Sequence, residues 1–400
     1  MRVIVASRIY WPEPAAAAFR LKALVAELAA RGASVRVLTT RPAPGSSPTT
    51  SAGEEGGTSG GPGTVRVARW PVLRDRSGYV RGYVQYMSFD LPLILRLSFA
   101  SRPDVVVAEP PPTTGLMVRI VCSLRRIPYV YYAADVWSDA AAATGAPTVV
   151  SRALRRVESW AIRGAERVIA INEGVEERVR SLGAHRVEVV RNGVDTDAFH
   201  PDGALAETAP SGPYAIYAGT VSEWQGADVF VRALSQVLER VPDAKLVFLG
   251  QGSSWAELRQ LATGLPDGGT AVHFVSSVPQ ADAARWVRGA SVALASLSPD
   301  AGYDFAFPTK ILAGVASGVP VLFAGVGPAA ETIAEERLGE AVPHDVEAVA
   351  DALTRLLTVP ASSSERERLA RWAVDNASVR ATGGRAAAVV HAAALGSSSE

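Results

Sequence analysis

SPDAGYDFAFPTKILAGVASGVPVLFAGVGPAAE, residues Ser298 to Glu331, reads as loop, helix, strand and second loop. The loop closes on Pro308-Thr309-Lys310, which predicts a helix beginning there and running to about Ser317. Gly318-Val319-Pro320-Val321 then ends the helix and opens a short apolar strand, so the stretch is one helix-to-strand unit of an α/β sheet. A Lys in the first helical turn faces the positive end of the helix dipole. It needs an offsetting anion, and the simplest is a phosphate held between its ammonium and the free backbone N–H groups.

The same alternation extends outward on both sides. Upstream within this half, strands are expected over 214–217, 245–249, 272–275 and 291–296, with helices over 227–240, 254–262 and 281–289 between them. Downstream, a strand over 319–323 and a helix over 346–357 follow. The first half repeats the pattern, with strands over 2–7, 34–39, 65–70, 104–108, 129–133, 167–171 and 187–190. Residues 41–64 are mostly Pro, Gly, Ser and Thr, cannot bury a core, and are expected to form a surface loop. Polar, turn-forming residues from Arg191 onward mark a domain boundary. The expected fold is therefore α/β, with two doubly wound, parallel-sheet, Rossmann-like domains facing across a cleft. The divisions are 1–195, 196–377, and a helical tail 378–400 that crosses back to the first domain.

Composition removes several classes of function. Lys plus Arg and Asp plus Glu both number 40, so no global charge argues for nucleic acid, and none is expected as a partner. One Cys and five scattered His leave no material for a Cys/His metal cage, and no metal or other cofactor is expected. The opening MRVIVAS is too short an apolar run for a signal peptide or a membrane span, so a cytoplasmic location is expected. Residues 69–102 hold six Arg against two Asp, interleaved with aromatic and aliphatic residues. That stretch suits a peripheral contact with the inner face of the membrane, and equally a helix packed on the first sheet with its Arg solvated.

Competing motifs are present. Gly325-Val326-Gly327-Pro328-Ala329-Ala330 after a strand matches a dinucleotide fingerprint, but it sits late in its domain and lacks the following acidic strand end. Asp195-Thr196-Asp197 has the form of a metal-binding Asp-x-Asp, but a hinge turn is the better reading of it. Asp135, close to Trp137, either lines an acceptor site or caps the turn after a strand.

Asn192-Gly193-Val194-Asp195 with Phe199 resembles the hinge of the retaining glycosyltransferases of family four, which have the GT-B fold. YAGTVSEWQGADVFVRAL from Tyr217 and LVFLGQGS from Leu246 are similar to the start of that family's nucleotide-binding domain. WPEPAAAAFRLKALVAELAARGASVRVLTT and YVYYAADVWSDAAAATG resemble its first-domain opening and Asp-x-Trp segment. The similarity runs in order along nearly the whole chain. It implies transfer of a sugar, with retention, from a nucleoside diphosphate sugar to a small-molecule or lipid-linked acceptor. Cell-envelope glycan, glycolipid or secondary-metabolite synthesis are the expected settings.

The resemblance carries over unevenly. The two Glu of the family motif are replaced by Phe305 and Ala313, and its Arg and Lys by Thr220 and Gln225. The family's first-domain His corresponds to Glu109. The implied donor-side residues are Gly219, Thr220, Gln225, Gly250, Gly252, Tyr303, Asp304, Pro308, Thr309, Lys310 and Glu331, the last as a ribose acceptor. The implied catalytic residues are Lys310, Asp135 and Glu109. With both motif Glu absent, an inactive, nucleotide-sugar-binding partner of a related transferase is the alternative. A sugar-nucleotide epimerase ranks below both, because no acid and base carboxylates can be assigned.

Overall fold

The computed structural model describes residues 1–13, 16–42, 63–74, 80, 82–139, 147–299 and 303–396. Most of the expected 41–64 loop lies outside these residues, as do Arg76, Tyr79 and Arg81 of the basic stretch. The chain divides into two compact units, one formed by Met1–Asn192 with Val379–Glu400 and the other by Gly193–Ser378.

In the first unit the elements run β1 Arg2–Ala6, α1 Ala16–Ala30, β2 Ser34–Thr40, β3 Val65–Trp70, α2 Tyr83–Ser98, β4 Val105–Ala108 and α3 Pro112–Arg125. They continue as β5 Tyr129–Ala133, α4 Thr148–Arg163, β6 Arg167–Ala170, α5 Glu173–Ser181 and β7 Val187–Val189. The strands form one parallel sheet in the order β3-β2-β1-β4-β5-β6-β7. VVVA in β4 and YVYYA in β5 are buried along their whole length, as strands covered on both faces must be. Ile4, Phe89, Leu93, Val118 and Tyr131 build the core on one face of the sheet. Val3, Val5, Leu21, Leu24 and Leu28 build it on the other.

The second unit comprises β8 Tyr214–Thr220, a 3-10 turn Glu223–Gln225, α6 Asp228–Arg240, β9 Lys245–Gln251, α7 Trp255–Thr263 and β10 Val272–Ser276. It goes on through α8 Gln280–Gly289, β11 Val292–Ser296, α9 Thr309–Ala316, β12 Val321–Ala324, α10 Pro328–Glu335, β13 Gly339–Val342, α11 Val346–Thr358 and α12 Ser363–Ala377. Its parallel sheet has the order β10-β9-β8-β11-β12-β13. The order reverses between β8 and β11, as it does between β1 and β4 in the first unit, and ligands of such sheets bind beyond the carboxyl ends at these switch points. A final helix, α13 Val379–Gly396, belongs to the first unit and packs on α1. There Gly383 leaves no room for a side chain, because a Cβ would lie 2.8 Å from the Ala23 carbonyl.

Every expected strand is present, and the sheets are parallel as the alternation requires. The structure adds β13, α5, α10 and α12, whose apolar signals are weak. In α5 only Val175 and Val179 are buried, and α12 buries Leu369, Ala373 and Ala377 along an otherwise polar helix. Local capping marks both starts: Asn172 accepts from the Val175 N–H at 2.8 Å, and Ser362 from the Glu365 N–H at 3.2 Å. Cys122 is buried, and desolvation pushes its thiol up to about 12, consistent with a packing role. Among the described residues no helix is long and apolar enough to cross a membrane.

Candidate active site

In the second unit Pro308 precedes α9 in extended conformation and leaves Lys310 in the first turn. The Lys310 side chain runs back over the carboxyl end of β8. Its Nζ donates to the Tyr217 hydroxyl at 2.8 Å and to the Thr220 carbonyl at 3.3 Å, and it lies 3.9 Å from the Tyr217 ring centroid. Its Cε passes within 3.5 Å of where a side chain on Gly219 would begin. Burial pushes the Lys310 ammonium down to about 7. Among the described residues no carboxylate forms an ion pair with it.

The glycines beside it are required by close backbone approach. A Cβ on Gly250 would stand 2.1 Å from the Gly219 carbonyl oxygen, and one on Gly252 would stand 1.8 Å from that of Val221. At the carboxyl ends of β8 and β9 these positions are thus bare backbone, next to the α9 N-terminus.

Three turns converge on the same unit. Tyr303 packs against Trp224 with centroids 4.7 Å apart and the rings tilted by 33°, and Phe305 follows at 6.4 Å from Tyr303. Tyr303 and Phe305 remain partly exposed. The Asp304 carbonyl rests against Gly327, where a Cβ would lie 2.2 Å away and φ is +87°. Glu331 stands exposed in the first turn of α10. Gln225 is buried, and its side-chain oxygen accepts from the Ser222 N–H at 3.0 Å, so its carboxamide is occupied in capping the turn. Thr220 meets Lys310 through its backbone.

The Asp-x-Asp alternative resolves locally. Asp195 Oδ1 accepts from the N–H groups of Asp197 at 3.1 Å and Ala198 at 3.3 Å, while Oδ2 accepts from Gln280 at 3.3 Å. Oδ1 holds the turn, and Oδ2 ties it to the start of α8. Among the described residues no group of three His, Cys, Asp or Glu is gathered as metal ligands would be.

In the first unit Glu109 follows β4 and is buried. It accepts from Ser7 Oγ and pairs with Arg20 at 2.8 Å. Burial raises its carboxyl despite those partners. Arg20 also donates to Asn192 at 3.1 Å and lies 5.0 Å from the Tyr132 ring centroid. Asp135 is raised in the same direction, desolvation outweighing the attraction of Arg20. Glu158, fully buried on α4, accepts from the N–H groups of Trp137 and Ser138 at 2.9 Å each and so fixes the loop that carries Asp135. Arg20, Tyr217 and Trp224 stand among these groups and were not singled out by sequence reasoning. The Arg lies within an apolar helix, and nothing local marks the two aromatics.

Residues 16–193 match the model of the glycosyl transferase 4-like domain, and residues 212–359 that of glycosyl transferases group 1. D-inositol 3-phosphate glycosyltransferase 2 of Catenulispora acidiphila is 31% identical over 223 residues, which are 51% of this chain and 50% of the relative. The GDP-mannose-dependent alpha-(1-6)-phosphatidylinositol monomannoside mannosyltransferase of Mycolicibacterium smegmatis is 31% identical over 207 residues, 49% of this chain and 53% of the relative. The chain therefore spans about half the length of the curated relatives it matches. A crystal structure of the Anabaena protein Alr3699/HepE in complex with UDP superposes with a TM-score of 0.65 at 15% identity, covering 98% of this chain and 100% of that one. At that identity the likeness establishes the fold.

Proposed function

We propose, on the premise that this chain carries a glycosyl transferase 4-like domain followed by a glycosyl transferases group 1 domain, that it moves a sugar from a nucleoside diphosphate sugar to an acceptor with retention. Cell-envelope glycan, glycolipid or secondary-metabolite synthesis is the setting. The observation that carries the reading is Lys310, held at a helix start over the bare glycine ends of β8 and β9 without a carboxylate partner among the described residues. UDP in a protein of the same fold supports it. When the sugar departs, negative charge develops on the diphosphate. Lys310 and the first N–H groups of α9 meet that charge, each charge-assisted bond contributing about 1.5–3 kcal/mol. Tyr303 and Phe305, packed out from Trp224, offer ring faces to the donor. Turnover is expected to survive EDTA; loss restored by Mg²⁺ or Mn²⁺ would overturn that part.

The acceptor is a small molecule or is lipid-linked, the second in keeping with the name of the mycobacterial relative. Peripheral membrane contact through 69–102 has structural support. α2 buries Phe89, Leu93 and Leu97, yet its other face leaves Leu91 55%, Leu95 60% and Phe99 85% exposed. Arg102 and Arg126 stand exposed near the end of this helix, Arg102 donating to the Arg126 carbonyl at 2.9 Å. A helix that merely covered the sheet has no need of that second apolar face.

A second reading, an inactive nucleotide-sugar-binding partner, is favoured by Phe305, an apolar ring where the resembling family has a carboxylate. Incubation with a panel of nucleotide sugars, read by mass spectrometry, separates the readings. Slow donor hydrolysis supports the transferase, binding without turnover supports the inactive partner, and a changed sugar supports an epimerase.

A further inference from the structure

We infer that the first unit holds an anion site centred on Arg8, which receives a phosphate or carboxylate group of the acceptor; this rests on the transferase reading above. Arg8 stands just beyond β1, at the switch point between β1 and β4, and is only 4% exposed. Its guanidinium carbon lies 4.0 Å from the Tyr86 ring centroid and 5.9 Å from that of Trp137. Among the described residues its guanidinium meets only neutral partners, the Tyr86 side chain and, at a long 3.4 Å from Nη1, the Val80 carbonyl, and its buried Nε has no partner.

The neighbouring acids are already committed. Asp90 accepts from the hydroxyls of Thr113 and Thr114 at 2.6 Å each, and Glu109 accepts from Ser7 and Arg20. Among the described residues none forms an ion pair with Arg8, whereas Arg20 beside them is paired. The attraction of Asp90 and Glu109 reaches Arg8 from a distance and is outweighed by desolvation. Ring contacts offset only part of the cost of burying an unpaired charge, so the protein alone leaves this cation under-compensated. A planar guanidinium whose Nε–H has no partner is shaped to take an oxygen of a ligand anion. Trp137, fixed through Glu158, and Tyr86 would exclude water around it.

The test uses the full chain with saturating UDP, so that the nucleotide site does not take up the probe. Inorganic phosphate, sn-glycerol 3-phosphate, glycerate and uncharged glycerol are titrated by calorimetry. Phosphatidylcholine vesicles with and without phosphatidic acid are assayed by co-sedimentation. The wild type is expected to bind at least one anion and not glycerol. Arg8→Met is expected to weaken that binding at least tenfold, leave UDP affinity unchanged, and unfold in the absence of ligand at the same or a higher temperature. Should Arg8→Met fail to fold, Arg8→Lys carries the test, with a several-fold loss expected because the planar guanidinium is gone. Arg8-dependent binding of phosphatidic acid vesicles assigns the anion to a lipid, and Arg8-dependent binding of the soluble esters alone assigns it to a free acceptor; both support the site. The proposal is overturned if the wild type binds no anion better than glycerol, or if the folded variants bind anions as tightly as the wild type. Failure of the wild type to bind UDP or hydrolyse any donor strikes the transferase reading instead, and is scored separately.

Discussion

The ammonium of Lys310 rests on Tyr217, donating to its hydroxyl at 2.8 Å and lying 3.9 Å above its ring. Tyr217 is fully buried, and burial beside it holds the amine well below the usual lysine range. In the function proposed above, a bound diphosphate would supply the missing charge and return the group to its ammonium form.

The pH dependence follows from the depression of Lys310 from 10.5 to about 7. Between these values the unfolded chain holds a proton that the folded chain lacks, so this group makes stability rise as pH rises through that window. Below about 7 the full cost of burying the ammonium is present. Diphosphate binding at Lys310, as proposed, would restore the proton. UDP affinity is therefore expected to fall as pH rises above 7, with proton uptake at pH 8 visible by calorimetry in buffers of different ionisation enthalpy. Binding at pH 8 without proton uptake would sink the idea.

Lys310→Ala removes the cation and spares the fold, because the side chain covers strand ends rather than filling the core. UDP binding is expected to weaken by about 10- to 100-fold, the equivalent of one charge-assisted bond. Thermal unfolding should shift little, or upward. Equal UDP affinity in variant and parent would remove Lys310 from the phosphate site.

Gly252→Ala should act in the opposite way, on structure first. Its Cβ would be placed 1.8 Å from the Val221 carbonyl oxygen, a distance that only backbone movement can relieve. A loss of about 1–3 kcal/mol in denaturant unfolding is expected, with loss of UDP binding in the same sample. Parental stability in this variant would contradict the packed geometry of β8 and β9.

Leu91→Ser with Leu95→Ser tests the second face of α2. Both side chains are more than half exposed, so the double variant should fold with near-parental stability. Co-sedimentation with anionic vesicles at low salt should drop several-fold, while donor hydrolysis in solution stays unchanged. Vesicle binding identical to the parent leaves a soluble acceptor as the better reading.

The sheets were legible because their strands are long apolar runs bounded by turn residues, as in VVVA and YVYYA. Lys310 was legible because Pro308 fixes where its helix begins. Gln225 carries a lesson about local signals: Ser222-Glu223-Trp224-Gln225 is itself a capping box, which competes with any reading of Gln225 as a ligand contact. Arg8 and Arg20 were illegible for a different reason. Charged residues occur throughout the chain, and whether one is buried depends on loops from distant strands. The same holds for Trp224, which meets Tyr303, a residue the resemblance did imply, only because two loops after β8 and β11 fold together.

The placement of α13 has a bearing on biosynthesis. During vectorial translation Met1–Asn192 leaves the ribosome before Val379–Gly396 has been made, so α1 waits with one flank uncovered until the whole second unit has emerged. The backbone-close seat of Gly383 on Ala23 is thus filled late. Until then the nascent first unit presents an apolar surface that a holding chaperone can cover, and a fragment expressed as Met1–Asn192 alone keeps that surface for good.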